Sequence, residues 1–259
     1  MATGLHHVEH VMGMAVSIDV RDRLPAAALT EVIDWLHHVD ATFSPYRPDS
    51  PVSRFGSGEI GLDDLDVEVL GVLALCEELH ADTGGAFDVL AVPAPNGSRF
   101  DPSGLVKGWS IERAVEVLER HGARNLCLNA GGDIAVRGEP EPGRPWRIGI
   151  RDPEHSGEVM AVVAIRGRGA VATSATYERG AHIIDPATGE PTTMVASVTI
   201  VGPDLTYVDA HATAVFVMGV DGLQWLADRH RDHDGLVVTH DRQRFATAGF
   251  GSRMGAAEA

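Results

Sequence analysis

Asp101-Pro-Ser-Gly-Leu-Val-Lys-Gly108, running into Trp109-Ser-Ile-Glu-Arg-Ala114, is the stretch around which the rest of this chain must be arranged. A turn of small residues opens directly into a helix. Asp101 and Ser103 both suit an N-cap, where a side-chain oxygen accepts from free backbone N–H groups. Gly104 allows another group to come close to the backbone. Free N–H groups and the positive end of the helix dipole favour an anion at this point. Lys107 is the only lysine of the chain, and the other 20 of its 21 basic residues are arginine. A compact ammonium retained where a guanidinium is used everywhere else marks a place that a planar fork does not fit, such as a tight phosphate. The spacing matches neither a P-loop nor a dinucleotide-binding fingerprint.

A chain of 259 residues, 44% hydrophobic and 22% charged, is ample for one large soluble domain or two interlocked subdomains. The formal net charge of −16 repels nucleic acid and anionic membranes. An acidic protein therefore needs a metal ion or a few well-aimed donors to hold a phosphate ligand. Cys76 and Cys127 lack metal-type spacing and are expected to be buried free thiols. The N-terminal stretch is polar and His-rich, with neither an apolar signal region nor a lipid-acceptor cysteine, and no segment is long enough to span a membrane. These features give the expectation of a cytoplasmic protein.

Alternation predicts a strand over residues 11–20, with Met12, Met14, Val16, Ile18 and Val20 on one face. Helical spacing follows from Pro25 to Val39 and from Asp66 to Asp82, the second helix stopped by Gly84-Gly85. Between them, three prolines break the chain and place Tyr46 in a stiffened loop; taken alone, such a loop more often packs its own aromatics. Strands are predicted at 124–129, 146–150, 159–165, 170–173 and 195–201, with helices at 207–218 and 222–231 and a closing hairpin over 235–250. No repeat and no linker divides the chain, so the expectation is one α+β unit over residues 1–259.

Asp209 and Thr213 lie four apart and share a helix face flanked by Ala210, Ala212 and Ala214. Oxygen ligands alone suit Mg²⁺, which completes its shell with water and phosphate oxygens. Taken alone, such a pair is more often a cap or ion pair beside a packed hydroxyl. None of the 13 histidines falls into a zinc-type spacing, and most are expected to be solvated; His6, His7 and His10 fall in the N-terminal stretch expected to be flexible.

Seven motifs occur in order between about Met12 and Gly219: Phe43-Ser-Pro-Tyr-Arg-Pro-Asp-Ser50, Gly85-Ala-Phe-Asp88, the Asp101–Gly108 turn, Asn129-Ala-Gly-Gly-Asp-Ile134, Trp146-Arg-Ile-Gly-Ile-Arg-Asp-Pro153, His182-Ile-Ile-Asp-Pro-Ala-Thr-Gly189 and Asp209-Ala-His-Ala-Thr-Ala214. Together they closely resemble the ApbE family of flavin transferases. The resemblance implies mixed sheets with packed helices, in two interlocked subdomains around a central FAD cleft. It implies Mg²⁺-dependent transfer of FMN from FAD to a Thr or Ser hydroxyl of an acceptor flavoprotein, with AMP released. An FAD pyrophosphatase and a non-catalytic flavin-binding protein are alternatives that sequence separates poorly from it.

Carried over by motif, Met12 and Tyr46 would pack near the adenine, and Gly85, Ala86 and Phe87 would line the FAD site. Asp101 and Lys107 would hold the nucleotide and its phosphates, and Asp185 would join the FAD-binding set. The Gly104 carbonyl, Asp209 and Thr213 would bind the metal, and His182 would take the acceptor's hydroxyl proton. Two departures stand out. Ala172-Thr-Ser-Ala-Thr-Tyr177 replaces the family's S-T-S-G-D-Y, and the connector from Asp88 to Asp101 is short.

Overall fold

The computed structural model describes residues 4–91, 97–98, 100–155, 157–176 and 183–254. Its strands are β1 (Leu5–Val11), β2 (Met14–Val20), β3 (Leu126–Ala130), β4 (Asp133–Arg137), β5 (Trp146–Arg151), β6 (Val159–Ile165), β7 (Gly169–Ala175), β8 (Ser197–Gly202), β9 (Asp234–Val238) and β10 (Arg244–Ala246). Eight of them form one antiparallel sheet in the order β1-β2-β3-β4-β7-β8-β9-β10, and β5 and β6 make a separate hairpin. This is the expected mixture of sheets and packed helices.

Side chains alternate across a strand, so the sheet offers two faces. One face, with Val16, Ile18, Leu128, Ala172, Val198 and Ile200, packs on helices. These are α1 (Ala26–Phe43), α4 (Ser103–Arg120) and α5 (Leu205–Met218). The other face, with Val136, Val171, Val201 and Leu236, is covered by Trp146, Ile148, Val163 and Ile165 of the β5–β6 hairpin and by Phe250. A further core lies among helices α1, α2 (Pro51–Gly56), α3 (Val67–Asp82) and the start of α4. Here Trp109 meets Trp35 and Phe43 edge-on, with ring centroids 5.3 Å apart in each pair. Helix α6 (Gly222–Arg229) closes the sheet beside β9.

The N-terminus departs from expectation. Residues 5–11 pair in register with β2 instead of forming a flexible tail. Met12-Gly13 is the two-residue turn between these strands, with φ of 53° and 70°. Paired positive φ values match the right-handed twist of a hairpin, so the alternating run begins at Met14, not Val11. At the other end, the expected closing hairpin is β9–β10, and residues 250–253 form a helical turn instead of extending the strand.

The contact that sets the site is the crossing of α4 and α5 at Gly108. A Cβ at Gly108 would stand 2.4 Å from the Leu205 carbonyl oxygen and 2.9 Å from Asp209 Cβ. Glu112, one turn further along α4, is buried; it accepts from Leu205 N–H at 3.2 Å and pairs with Arg137 of β4. Arg168 Nη2 donates to the same carboxyl at 2.7 Å. Burial raises the Glu112 pKa and the nearby Arg137 charge opposes this. Thus α4, β4 and the first turn of α5 are fixed to one another by one side chain.

Gly108→Ala should lower stability by about 1–3 kcal/mol through overpacking. That loss outweighs the roughly 1 kcal/mol that alanine gains over glycine in a helix. Thermal unfolding checks this, and a melting temperature equal to that of the parent would show that the helices do not touch here.

Candidate active site

Helix α4 begins in the small-residue turn. Asp101 does not cap it as the residue next to the helix; that position is Pro102, whose ring offers no hydrogen-bond acceptor. Instead, Asp101 Oδ1 accepts from Ser103 N–H at 2.9 Å, closing the turn one residue earlier. Ser103 is the first helical residue, not a cap. Asp101 N–H donates to the Val89 carbonyl at 2.8 Å, which ties the turn to the segment after Gly85.

Lys107 reaches from the first turns of α4 into a pocket with two carboxylates. Its Nζ pairs with Asp133 and lies 3.5 Å from Asp209 Oδ1. Both acids are almost wholly buried, Asp133 at 2% and Asp209 at 4% exposure. Asp209 Oδ2 also accepts from Gly108 N–H at 3.1 Å. In a regular helix that hydrogen is aimed at the Gly104 carbonyl, so Asp209 competes for it. Asp133 Oδ1 accepts from Thr173 N–H at 3.1 Å. Thr213 lies one turn along α5 from Asp209, and its hydroxyl is 3.4 Å from the Asp209 carbonyl and 3.5 Å from Ser174 Oγ.

Two carboxylates share one ammonium, and the electrostatics reflect that deficit. The Asp209 pKa is pushed up to about 7, first by burial; the Lys107 charge pulls it down and the Asp133 charge pushes it further up. Among the described residues, Asp133, Asp209 and Thr213 bring side-chain oxygens together here, and oxygen ligands fit a hard divalent cation of the Mg²⁺ kind.

The remaining expected residues fall around this cluster in different ways. Phe87 is buried, and its ring lies against Gly104, where a Cβ would be 3.4 Å from it. Phe87 N–H donates to Thr83 Oγ1 at 3.0 Å, and Gly85 just before it takes a left-handed φ of 89°. Ala86 packs beside the same helical core. Met12, at the hairpin tip, approaches α4 through Ser110, whose Oγ is 4.0 Å from the Met12 sulfur and donates to the Lys107 carbonyl at 2.8 Å. Tyr46 is 74% exposed in its loop, with its ring turned to solvent. Asp185 sits in a turn of its own, its Oδ1 accepting from Ala187 N–H at 2.9 Å. His182 lies outside the described residues. At the departure from S-T-S-G-D-Y, Ala175 ends β7 buried and Thr176 N–H donates to the Ala196 carbonyl at 3.4 Å.

Asp133 is the residue that sequence reasoning missed. It was visible as the acid after the Gly131-Gly132 turn, inside a motif already noted. The turn's left-handed glycines, with φ of 62° and 106°, aim the first residue of β4 back at α4.

Fold and site together define an α+β protein with a buried carboxylate–ammonium cluster at the start of a helix. A model of the ApbE family matches residues 12–97 and 92–237, and the chain belongs to that family. The FAD:protein FMN transferase of Haemophilus influenzae is 27% identical over 266 residues, spanning 80% of this chain and 77% of that protein. The FAD:protein FMN transferase of Rhodobacter capsulatus is 30% identical over 232 residues, spanning 86% of this chain but 40% of that protein. The solved flavin transferase ApbE of Vibrio cholerae has the same fold, with a TM-score of 0.85 at 23% identity over 98% of this chain and 100% of that one. The ApbE protein of Thermotoga maritima matches equally, with a TM-score of 0.85 at 23% identity over 97% and 99%.

The raised Asp209 pKa carries a stability consequence. The native state holds a proton that the unfolded chain releases in the ordinary carboxylate range, so this group's contribution falls as pH climbs from there towards 7. Asp209→Asn keeps an acceptor for Gly108 N–H and removes the charge. Its stability advantage over the parent should therefore widen between roughly pH 5 and 7. Denaturant unfolding of both proteins across that range checks the sign; a constant difference would refute it.

Proposed function

We propose that this protein transfers the FMN part of FAD to a threonine or serine hydroxyl of an acceptor flavoprotein, in a Mg²⁺-dependent reaction that releases AMP. The observation that supports this most directly is the Lys107–Asp133–Asp209 cluster, in a chain of the ApbE family. Asp209, Thr213 and the Gly104 carbonyl would hold the metal, with Asp133 as a further carboxylate at the same place. When bound, Mg²⁺ neutralises charge on the phosphoryl oxygens.

The acceptor oxygen forms a new bond to the FMN phosphorus. The bond from that phosphorus to the bridging oxygen breaks, and AMP leaves with the electron pair. Lys107 supplies a compact positive charge beside the phosphates, which an arginine fork would supply less closely. His182 takes the hydroxyl proton, a role resting on its motif and on an imidazole's ordinary pKa near neutrality. Phe87 and Gly104 form one wall of the FAD site, and Met12, Tyr46, Gly85, Ala86, Asp101 and Asp185 complete it. No helix of the described residues is long and apolar enough to cross a membrane. Cys76 and Cys127 are free, with thiol pKa values pushed up by burial to about 12. Two cysteines left as free thiols suit a reducing compartment, and on that ground we place the protein in the cytoplasm.

Incubating FAD and Mg²⁺ with the protein should yield AMP only when an acceptor domain bearing a Thr motif is present, together with a flavin-labelled acceptor. AMP and free FMN without acceptor would instead make this a pyrophosphatase. Asp209→Asn should lower the transfer rate by ~10²-fold or more. Full activity in a chelator would overturn the metal's role. Lys107→Arg should also lose at least about tenfold in rate, because the fork does not replace a point charge; parental kinetics would show that the lone lysine is incidental.

A further inference from the structure

We propose that His211, His230 and His233 form a second metal site, nitrogen-lined and suited to a borderline divalent ion of the zinc class. The three rings can each offer a nitrogen such that all lie within 4.8 Å of one another. Ring centroids are 4.2 Å apart for His211 and His230, 5.0 Å for His211 and His233, and 5.5 Å for His230 and His233. A tetrahedral ion with ordinary Zn–N bonds spaces its nitrogens about 3.3 Å apart. Closing from 4.8 Å to that spacing takes about 1.5 Å, and His230, at the C-terminal end of α6, is the least buried of the three rings and the one placed to move.

Two further observations point to a ligand. His211 is 1% exposed, and among the described residues neither of its ring nitrogens has a hydrogen-bond partner; His233 Nε2 is buried and equally unpartnered among them. Proteins rarely leave buried polar atoms so, and an ion or ordered water is the usual resolution. In addition, the outer ring nitrogens of the other two are already held by carboxylates. His230 Nε2 lies 2.7 Å from Asp82 Oδ2, and His233 Nδ1 lies 2.8 Å from Asp232 Oδ1. A carboxylate behind each imidazole is the arrangement that fixes a metal-binding histidine's tautomer and presents its other nitrogen. Gly202 makes room for this, since a Cβ there would stand 2.6 Å from the His233 ring.

The site is separate from the oxygen-lined cluster. His211 follows Asp209 by two residues on α5, and at 100° per residue the two side chains leave the helix on nearly opposite sides. Nitrogen-only ligands favour zinc-class ions, whereas Mg²⁺ takes oxygens, so the two ions would sort by chemistry. The ion would clamp α5 to the end of α6 and, through Asp82, to the end of α3.

The test is a titration of chelator-treated full-length protein with Co²⁺ alone. One equivalent should give the intense visible bands of a tetrahedral, nitrogen-ligated ion. One equivalent of Zn²⁺ should abolish them, while excess Mg²⁺ should not. Zn²⁺ should also raise the melting temperature by a few degrees. His230→Gln should remove the bands, and Asp82→Asn should weaken Co²⁺ binding by about 10–100-fold. Only weak bands in the parent, as an octahedral oxygen site gives, would overturn the proposal without reference to any variant. Bands that survive in folded His230→Gln would overturn it as well.

Discussion

Two buried carboxylates and one ammonium meet where α4 crosses α5, and that crossing is close because Gly108 has no side chain. Burying unpaired charge is costly, and burying two acids against one base leaves the account open. The chain holds them with backbone donors: Gly108 N–H for Asp209 and Thr173 N–H for Asp133. Each donor belongs to an element that the core already fixes. The acids therefore cannot swing away to water, and the charge deficit is stored in place. A site built this way is primed for a cation, which relieves the deficit, and for a phosphate, which the cation and Lys107 then attract.

Much of the fold was legible because burial repeats with a helix's or a strand's period. The helices ending at Asp82 and Met218 and most of the strands were found within a few residues, since Val69, Val72, Cys76 and Leu79 recur at helical spacing and Ser197–Gly202 is an unbroken run fit for a central strand. What was not legible depends on partners distant in sequence. Residues 5–11 carry three histidines and a glutamate, and nothing in their composition announces a strand. They form one because β2 offers an open edge and Met12-Gly13 turns the chain back onto it. Edge strands are often polar on their outer face, and here His6 and His10 point outward, with Val8 exposed between them.

The site divides in the same way. Lys107 drew notice because the chain otherwise uses arginine, and Asp209 with Thr213 because they share a bare helix face. Asp133 gave no such signal, since an acid after two glycines reads first as a turn residue. Its role comes from pairing β4 beside β7, which places Thr173 N–H on one carboxyl oxygen while α4 brings Lys107 to the other. Most of the described histidines are exposed, as expected, whereas His211 and His233 are buried and lie beside His230. His211 sits two residues from Asp209, and His230 and His233 lie about twenty residues on, a spacing that matches no finger or helix motif. They converge only because α6 folds back along α5 and β9 begins next to Gly202.

Helix α5 thus stands between two polar clusters while being buried almost all round, with Ala210, Ala212 and Ala214 against its neighbours. A helix so enclosed cannot rotate to exchange one side for the other without opening both cores. Small side chains bring the surrounding elements near, which keeps Asp209 in reach of Gly108 and His211 in reach of His233. The cost is low intrinsic tolerance: a larger residue at any of these alanines would push α4 or the sheet away and loosen the carboxylates from their backbone donors. The precision of the oxygen-lined site is therefore a property of the packing behind it as much as of the residues that face it.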